Sequence, residues 1–286
     1  MPEPAHWLEV VDAGALTTVQ DLGRPGWAHL GVPRSGALDQ PALALGNRLI
    51  GNPPDAAGLE TTLTGVVLRA ASGTTLAVTG APCDVRVDGR PARWGVPAPV
   101  PGGAEVRIGA ALDGLRSYVA VAGGIDLPPV LGSRSTDVLS GLGPAPVAAG
   151  DRLPLGRSGR ASYGTEAVPR PRGDQLRILL GPRADWFDAT AIEELDGAPY
   201  RVAADSNRIG LRLAGQAIRR VPADELPSEG MVLGAVQVPP SGQPVVFLHD
   251  HPTTGGYPVV GVVLEQDLAV CAQARPGDRL TLRVVG

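Results

Sequence analysis

Val245-Val-Phe-Leu248 is a run of four apolar residues that stops against His249-Asp-His-Pro-Thr-Thr-Gly-Gly-Tyr-Pro258. Four residues are too few for a helix and suit a buried strand, and the proline and glycines beyond turn it into a loop. The same pattern recurs at Leu76–Val78 and Tyr118–Val121. The 286 residues include 39 glycines and 29 prolines, about a quarter of the chain. That is roughly twice the usual share, and in a chain without apolar runs it would signal disorder. Here the breakers punctuate apolar runs, and 43% of the residues are hydrophobic, enough to build a core. The expected fold is mostly β: many short strands joined by turns, with few short helices.

Further strands are expected at Val85–Val87, Glu105–Ile108, Leu176–Leu180, Val259–Leu264 and Leu280–Val285, several of them alternating in polarity. Asp39-Gln-Pro-Ala-Leu-Ala-Leu-Gly-Asn-Arg-Leu-Ile-Gly51 has an N-cap, an early proline, helically spaced apolar residues and a closing glycine. It predicts a helix, with Asp39 as its cap rather than a catalytic acid. Shorter helices are expected at Trp186–Leu195 and Asp267–Gln273. Residues 156–174 are polar, rich in breakers and without periodicity, and read as a linker between units at 1–155 and 175–286. Gly150-Asp-Arg-Leu153 near the end of the first half is matched by Gly277-Asp-Arg-Leu280 in the second. Either a β-barrel unit has been duplicated or the same turn chemistry has recurred by chance.

The net charge is −4, the aromatics are four Trp, four Tyr and two Phe, and every one of the 25 basic residues is arginine. A nucleic-acid partner is not expected, for want of a basic face or stacking platforms. No apolar run reaches membrane-spanning length and the N-terminus shows no signal pattern, so a cytoplasmic location is expected. Without lysine there is no Walker loop, Schiff-base nucleophile or biotin attachment, so no covalent cofactor is expected on this chain. Bound anions must be held by arginine forks or backbone amides. Cys83 and Cys271 are isolated, which argues against a disulfide framework or a cysteine-rich metal site.

Three constellations can carry chemistry. Gln20-Asp-Leu-Gly-Arg-Pro-Gly26 followed by Gly31-Val-Pro-Arg-Ser-Gly36 presents Arg24 and Arg34 among glycines, as anion clamps or as solvated arginines on tight turns. Leu131-Gly-Ser-Arg-Ser-Thr136, containing Arg134 and Ser135, is either an oxyanion nest or an ordinary Ser/Thr turn. The 249–258 loop offers Asp250, Thr253, Thr254 and Tyr257 for a small polar substrate. His249 and His251 stand at a spacing that metal ligands use, but the other two histidines are scattered, and no metal is expected. Arg208, Glu229 and Gln237 line the same pocket or serve as a structural Arg–Glu pair.

Six ordered blocks resemble one family over nearly the whole chain. They are Thr17-Thr-Val-Gln-Asp-Leu-Gly-Arg-Pro-Gly26, Gly31-Val-Pro-Arg-Ser-Gly-Ala-Leu-Asp39, Ala120-Val-Ala-Gly-Gly-Ile-Asp126, Gly132-Ser-Arg-Ser-Thr136, Gly234-Ala-Val-Gln-Val-Pro239 and Thr253-Thr-Gly-Gly-Tyr-Pro258. The family contains the C subunit of 5-oxoprolinase, KipA and the so-called allophanate hydrolase subunit 2, and is related to part of the urea carboxylase carboxyltransferase domain. The resemblance implies two related cyclophilin-like β-barrel units. It also implies a KipI-like sister subunit (the B subunit of 5-oxoprolinase, or allophanate hydrolase subunit 1) together with a separate A subunit. The implied reaction is opening of 5-oxo-L-proline to L-glutamate, with ATP and magnesium at the level of the complex. A biotin-dependent carboxyltransferase subunit that acts on urea or a related amide is an alternative, as is a non-catalytic regulatory subunit. His251, Pro252, Val259 and Asp137 depart from residues common in the family. On this reading Asp250, Tyr257 and Arg134 are the candidate catalytic residues. Arg24, Arg34, Ser135, Gln237, Thr253 and Thr254 are expected to bind substrate.

Overall fold

The computed structural model describes residues 6–158, 173–221 and 226–285. Most of the expected linker, residues 159–172, lies outside the described residues. Packing divides the chain into two compact units. One comprises Met1–Arg24, Ser35–Asp137 and Gly141–Arg170, the other Pro25–Arg34, Val138–Ser140 and Pro171–Gly286. A single division after residue 155 would have placed both short segments in the first unit; by packing they belong to the second.

In the first unit two sheets enclose one core. The six-stranded sheet runs in the order Arg152–Pro154, Trp7–Asp12, Val66–Ala70, Glu105–Ala111, Cys83–Val87 and Arg90–Ala92. The five-stranded sheet runs Leu16–Gln20, Gly58–Thr62, Arg116–Val121, Thr74–Gly80 and Ala98–Val100. All pairings are antiparallel. Alternate residues point inward, so Leu8, Val10, Leu68, Val106 and Ile108 of one sheet meet Leu59, Leu76, Val78 and Val119 of the other in one cluster. Each such side chain contributes roughly 1.5–3 kcal/mol on burial.

The second unit closes as a seven-stranded barrel: Gln175–Leu180, Val259–Val263, Ala235–Gln237, Val245–Phe247, Gly210–Gly215, Pro199–Val202 and Arg279–Val285. Only the pairing of Gln175–Leu180 with Arg279–Val285 is parallel. Leu176, Ile178, Leu211, Leu213, Leu280 and Leu282 fill the interior, while Arg177, Arg212 and Thr281 alternate outward.

The matched Gly-Asp-Arg-Leu sequences form the same turn in each unit. Gly150 and Gly277 have φ of 94° and 91°. The carboxylate of Asp151 accepts from the Ala148 N–H and that of Asp278 from the Arg275 N–H, both at 2.8 Å. The glycine N–H groups bond back to Val10 and Val202 carbonyls at 2.7 and 2.8 Å. A positive-φ glycine followed by an aspartate that closes its own turn explains why this sequence precedes a strand in both units.

The expected helices are present. Helix α1 spans Gln40–Leu49, α2 Ala189–Leu195 and α3 Leu268–Gln273. Asp39 caps α1 by accepting from the Ala42 N–H at 3.1 Å. Residues 186–188 were expected within α2, but Phe187 is extended and Asp188 caps the helix through the Ala191 N–H. Leu45 and Leu49 of α1 pack on Ala77 and Ala120, and Leu43 packs with Ala37 and Tyr118.

Under the start of α1 lies a buried polar network. The Tyr118 hydroxyl donates to Glu60 Oε2 and accepts from the Asp39 N–H, each at 2.8 Å. Glu60 Oε2 also accepts from the Leu38 N–H at 2.9 Å, and Arg116 Nε stands 3.5 Å from Glu60 Oε1. Burial, and then the charges of Glu60 and Asp39, hold the Tyr118 hydroxyl well above the usual tyrosine range. Tyr118→Phe should therefore destabilise the protein by about 1–3 kcal/mol, because it strands the buried Asp39 N–H and removes a donor from Glu60. Urea denaturation of the two proteins measures this; an unchanged midpoint contradicts it.

Candidate functional site

In the first unit the sequence blocks around residues 21 and 133 meet at the carboxylate of Asp21. Its Oδ1 accepts from the hydroxyls of Ser133 and Ser135, each at 2.6 Å, and from the Gly23 N–H at 2.7 Å. Its Oδ2 accepts from the Arg134 N–H at 2.6 Å. The Ser135 hydroxyl in turn accepts from the Asp21 N–H at 3.0 Å. The Leu131–Thr136 segment thus directs two hydroxyls and one backbone N–H at the protein's own carboxylate. Ser135, expected to bind substrate, is buried, and its hydroxyl is engaged with Asp21.

Arg24 joins the same assembly and is 1% exposed. Its Nε donates to the Val130 carbonyl at 3.3 Å, Nη1 to Ser35 Oγ at 3.0 Å, and Nη2 to the Ser135 carbonyl. It ties together two left-handed non-glycine turns, at Ser35 with φ 49° and at Leu131 with φ 51°. Gly36 has φ 102°, and a Cβ there would stand 2.9 Å from the Gly23 nitrogen, so this glycine admits backbone rather than a ligand. The Arg134 side chain lies flat on its own unit, donating from Nε to the Leu127 carbonyl at 2.6 Å and from Nη2 to Asp126 Oδ1 at 2.7 Å. Arg24 and Arg134, expected as anion holders, thus spend these donors on the fold.

In the second unit the 249–258 loop follows the barrel strand Val245–Phe247. Asp250 is fully buried and forms a two-pronged ion pair with Arg208, which is 1% exposed, at 2.9 Å from Nε and 3.1 Å from Nη2. Asp250 Oδ2 also accepts from the Val138 N–H at 3.1 Å. Asp250, a candidate acid/base or orienting group, has both oxygens occupied by protein donors. The anticipated Arg208–Glu229 pair does not form; Glu229 pairs with Arg183, whose Nε donates to it at 2.8 Å. That hydrogen bonding holds the Glu229 carboxyl below its usual range.

The loop is held from below. Glu229–Gly230 pairs with Thr254–Gly255, and Gln237 Nε2 donates to the Tyr257 carbonyl at 3.2 Å. A Cβ on Gly255 would come within 2.7 Å of Gln237 Nε2, so the side chain above Gln237 must be absent. Gln237 is itself buried and acts as a support for the loop. Thr254 and Tyr257, the latter 45% exposed, are the loop side chains that face solvent, with Thr253 partly covered. His251 Nδ1 lies 2.7 Å from the Pro252 carbonyl, which fixes its proton on Nδ1, and the ring stacks on Phe247 at 6.1 Å. Arg34 differs from the other two arginines. Its Nε is buried and has no hydrogen-bond partner among the described residues.

No cluster of three or more His, Cys, Asp or Glu suited to a metal occurs among the described residues. Both cysteines are buried. Burial, and then the charge of Asp267, push the Cys271 thiol up to about 12, and burial raises Cys83 as well. A raised thiol pKa means a protonated sulfur at neutral pH, so neither is poised as a nucleophile.

A family profile described as carboxyltransferase domain, subdomain A and B, matches residues 30–284. The chain belongs to this carboxyltransferase-domain family. It is similar to the C subunit of 5-oxoprolinase from Escherichia coli K12, with 41% identity over 275 residues covering 95% of this chain and 89% of that protein. It is 32% identical over 283 residues to the C subunit of 5-oxoprolinase from Haemophilus influenzae, covering 97% and 91%. The crystal structure of the K. lactis urea amidolyase superposes on the entire chain with a TM-score of 0.92 and 28% identity. The chain spans only 19% of that much longer protein. No helix among the described residues is long and apolar enough to cross a membrane.

For this carboxyltransferase-domain protein, sequence reasoning named the 20–26, 131–136 and 249–258 stretches but not Asp21 as the carboxylate that joins the first two, nor Asp250 as the partner of Arg208. Asp21 and Arg208 stand in polar stretches of sequence, but nothing local marks a carboxylate that serves as an internal anion.

Two measurements check this site. Native protein at pH 8 should resist iodoacetamide at both cysteines and react after unfolding; rapid native modification of Cys271 contradicts its burial. Asp250→Ala should cost about 3–5 kcal/mol of stability by leaving Arg208 buried without its carboxylate. Arg208→Met combined with Asp250→Leu should recover most of that loss. A denaturant midpoint unmoved by Asp250→Ala would return Asp250 to the catalytic candidates.

Proposed function

We propose that this chain is one subunit of an ATP-dependent 5-oxoprolinase-type complex that opens 5-oxo-L-proline to L-glutamate. The observation that carries the reading is 41% identity to a 5-oxoprolinase C subunit across nearly the full length of both chains. Its partners would be a KipI-like sister subunit plus the A subunit, with the complex working in the cytoplasm. ATP with magnesium enters at the level of the complex, since this chain has no lysine with which to build a phosphate loop. ATP would phosphorylate the lactam oxygen with release of ADP. One water adds at that carbon and the ring C–N bond breaks to give an acyl phosphate and the free amine, and a second water hydrolyses the acyl phosphate to glutamate and inorganic phosphate.

Within this reading Arg34 is the anion holder for the substrate carboxylate or the developing oxyanion. The buried, unpartnered Nε supports it, because a guanidinium in a partly desolvated position gains most from an anion. Thr253, Thr254 and Tyr257 would orient the lactam, on a loop that Asp250, Arg208 and Gln237 hold in place. A second reading is a carboxyltransferase subunit that acts on urea or a related amide, favoured by the family description and by the fold shared with the urea amidolyase. The missing lysine would then require biotin to ride on another chain.

The test is glutamate release from 5-oxoproline and ATP by the chain reconstituted with its sister subunits, with urea and a carboxybiotin derivative run in parallel. Arg34→Ala should lower kcat/KM on the order of a hundredfold or more while assembly and melting temperature hold. Unchanged turnover in Arg34→Ala removes Arg34 from the site. Urea-dependent decarboxylation without lactam turnover establishes the second reading.

A further inference from the structure

The first unit contains a pocket of about 740 Å³, and none of the residues discussed above as site candidates lines it. It lies where the Thr74–Gly80 strand begins, beside Ala98–Val100, the edge strand of the five-stranded sheet. Thr74 pairs with Val100 and Thr75 with Pro99, so the strand end presents hydroxyl and apolar side chains together. Ile50, at the end of α1, and Leu155 add apolar surface; His6, Arg157 and Ser158 complete a polar side.

Two features narrow what such a pocket can take. Pro99 on the edge strand and Pro101 just beyond it carry no N–H, so this edge is a poor template for an added strand. The occupant is therefore a small molecule rather than an extended peptide. Charge gives the second. Among the described residues no aspartate or glutamate lines the pocket, although the chain as a whole is acidic, while Arg157 and His6 both line it. Arg157 is exposed and makes no hydrogen bond or ion pair among the described residues. His6 is oriented by Ser72, whose hydroxyl lies 2.6 Å from its Nδ1.

We propose that this pocket binds a small organic anion, a carboxylate or a phosphate ester with an apolar body. The charged end meets Arg157, and Thr74 and Thr75 line the same pocket. The apolar body rests on Leu155 and the rings of Pro99 and Pro101. The volume is in the range of ligand sites, and the mixture of apolar walls with a few polar groups is their usual chemistry. The proposal is independent of the reading of the chain as part of a 5-oxoprolinase.

Titration calorimetry of the full chain with benzoate and phenyl phosphate, using acetate and inorganic phosphate as bare-anion controls, tests it. At least one aromatic anion should bind saturably with one-to-one stoichiometry and more tightly than its bare counterpart. Arg157→Glu, at an exposed position, should fold normally and weaken that binding about tenfold or more. Leu155→Ser should weaken it at least several-fold, with Thr75→Val as a second variant should Leu155→Ser fail to fold. Absence of saturable binding by both aromatic anions overturns the proposal, as does binding unchanged by Arg157→Glu. Equal affinity for bare and aromatic anions overturns the apolar-body assignment.

Discussion

Asp21 holds one negative charge almost out of reach of water, and the first unit supplies two hydroxyls and two backbone N–H groups to it within 2.7 Å. Hydrogen bonds to an ionised group are worth about 1.5–3 kcal/mol each, and a desolvated carboxylate lacking them is strongly unfavourable. The consequence is a fixed geometry for residues far apart in sequence. Gly23, Ser133, Arg134 and Ser135 cannot shift without uncovering the charge. Arg24 then threads the same loops, bonding to Ser35 Oγ and to the carbonyls of Val130 and Ser135. Left-handed turns at Ser35 and Leu131 are tolerable because this network holds them.

The second unit uses the same physics with a different pair. Arg208 and Asp250 are both buried, and each satisfies the other through two parallel hydrogen bonds. Pairs of this kind contribute little net stability, since desolvation cancels much of the attraction, but they punish any other arrangement. The 249–258 loop is thereby held at its start, while Gln237 and the short pairing with Glu229–Gly230 hold its far end. What remains exposed is a short rim of Thr254 and Tyr257 over a rigid base. A rigid base with a few solvent-facing polar groups is the arrangement that orients a small substrate at little entropic cost.

Exposure separates the three candidate arginines more sharply than sequence could. Arg24 is enclosed by its own carbonyl partners, and Arg134 lies against Asp126 and the Leu127 carbonyl. Arg34 keeps a buried Nε with no partner among the described residues. Each arginine stands in a glycine-rich motif with serine nearby, so local chemistry could not distinguish them. The difference arises from which carbonyls and carboxylates the fold brings alongside.

By itself the sequence determined the mostly β character, the helices near residues 40, 190 and 268, and the family, because these depend on short-range patterns. Breakers around apolar runs, an aspartate cap before a proline and six ordered motif blocks are all local. The matched Gly-Asp-Arg-Leu turns belong here too, since a positive-φ glycine and a self-bonding aspartate need only their immediate neighbours. Tertiary structure alone decided the roles of the charged residues. Whether a carboxylate is an acid, an anchor or a filled nest depends on donors more than a hundred residues away, as with Asp21 and Ser135. It also decided that Pro25–Arg34 and Val138–Ser140 pack with the second unit. Burial and the need to satisfy every buried polar atom act through space, and sequence order carries no record of which partners will meet that need.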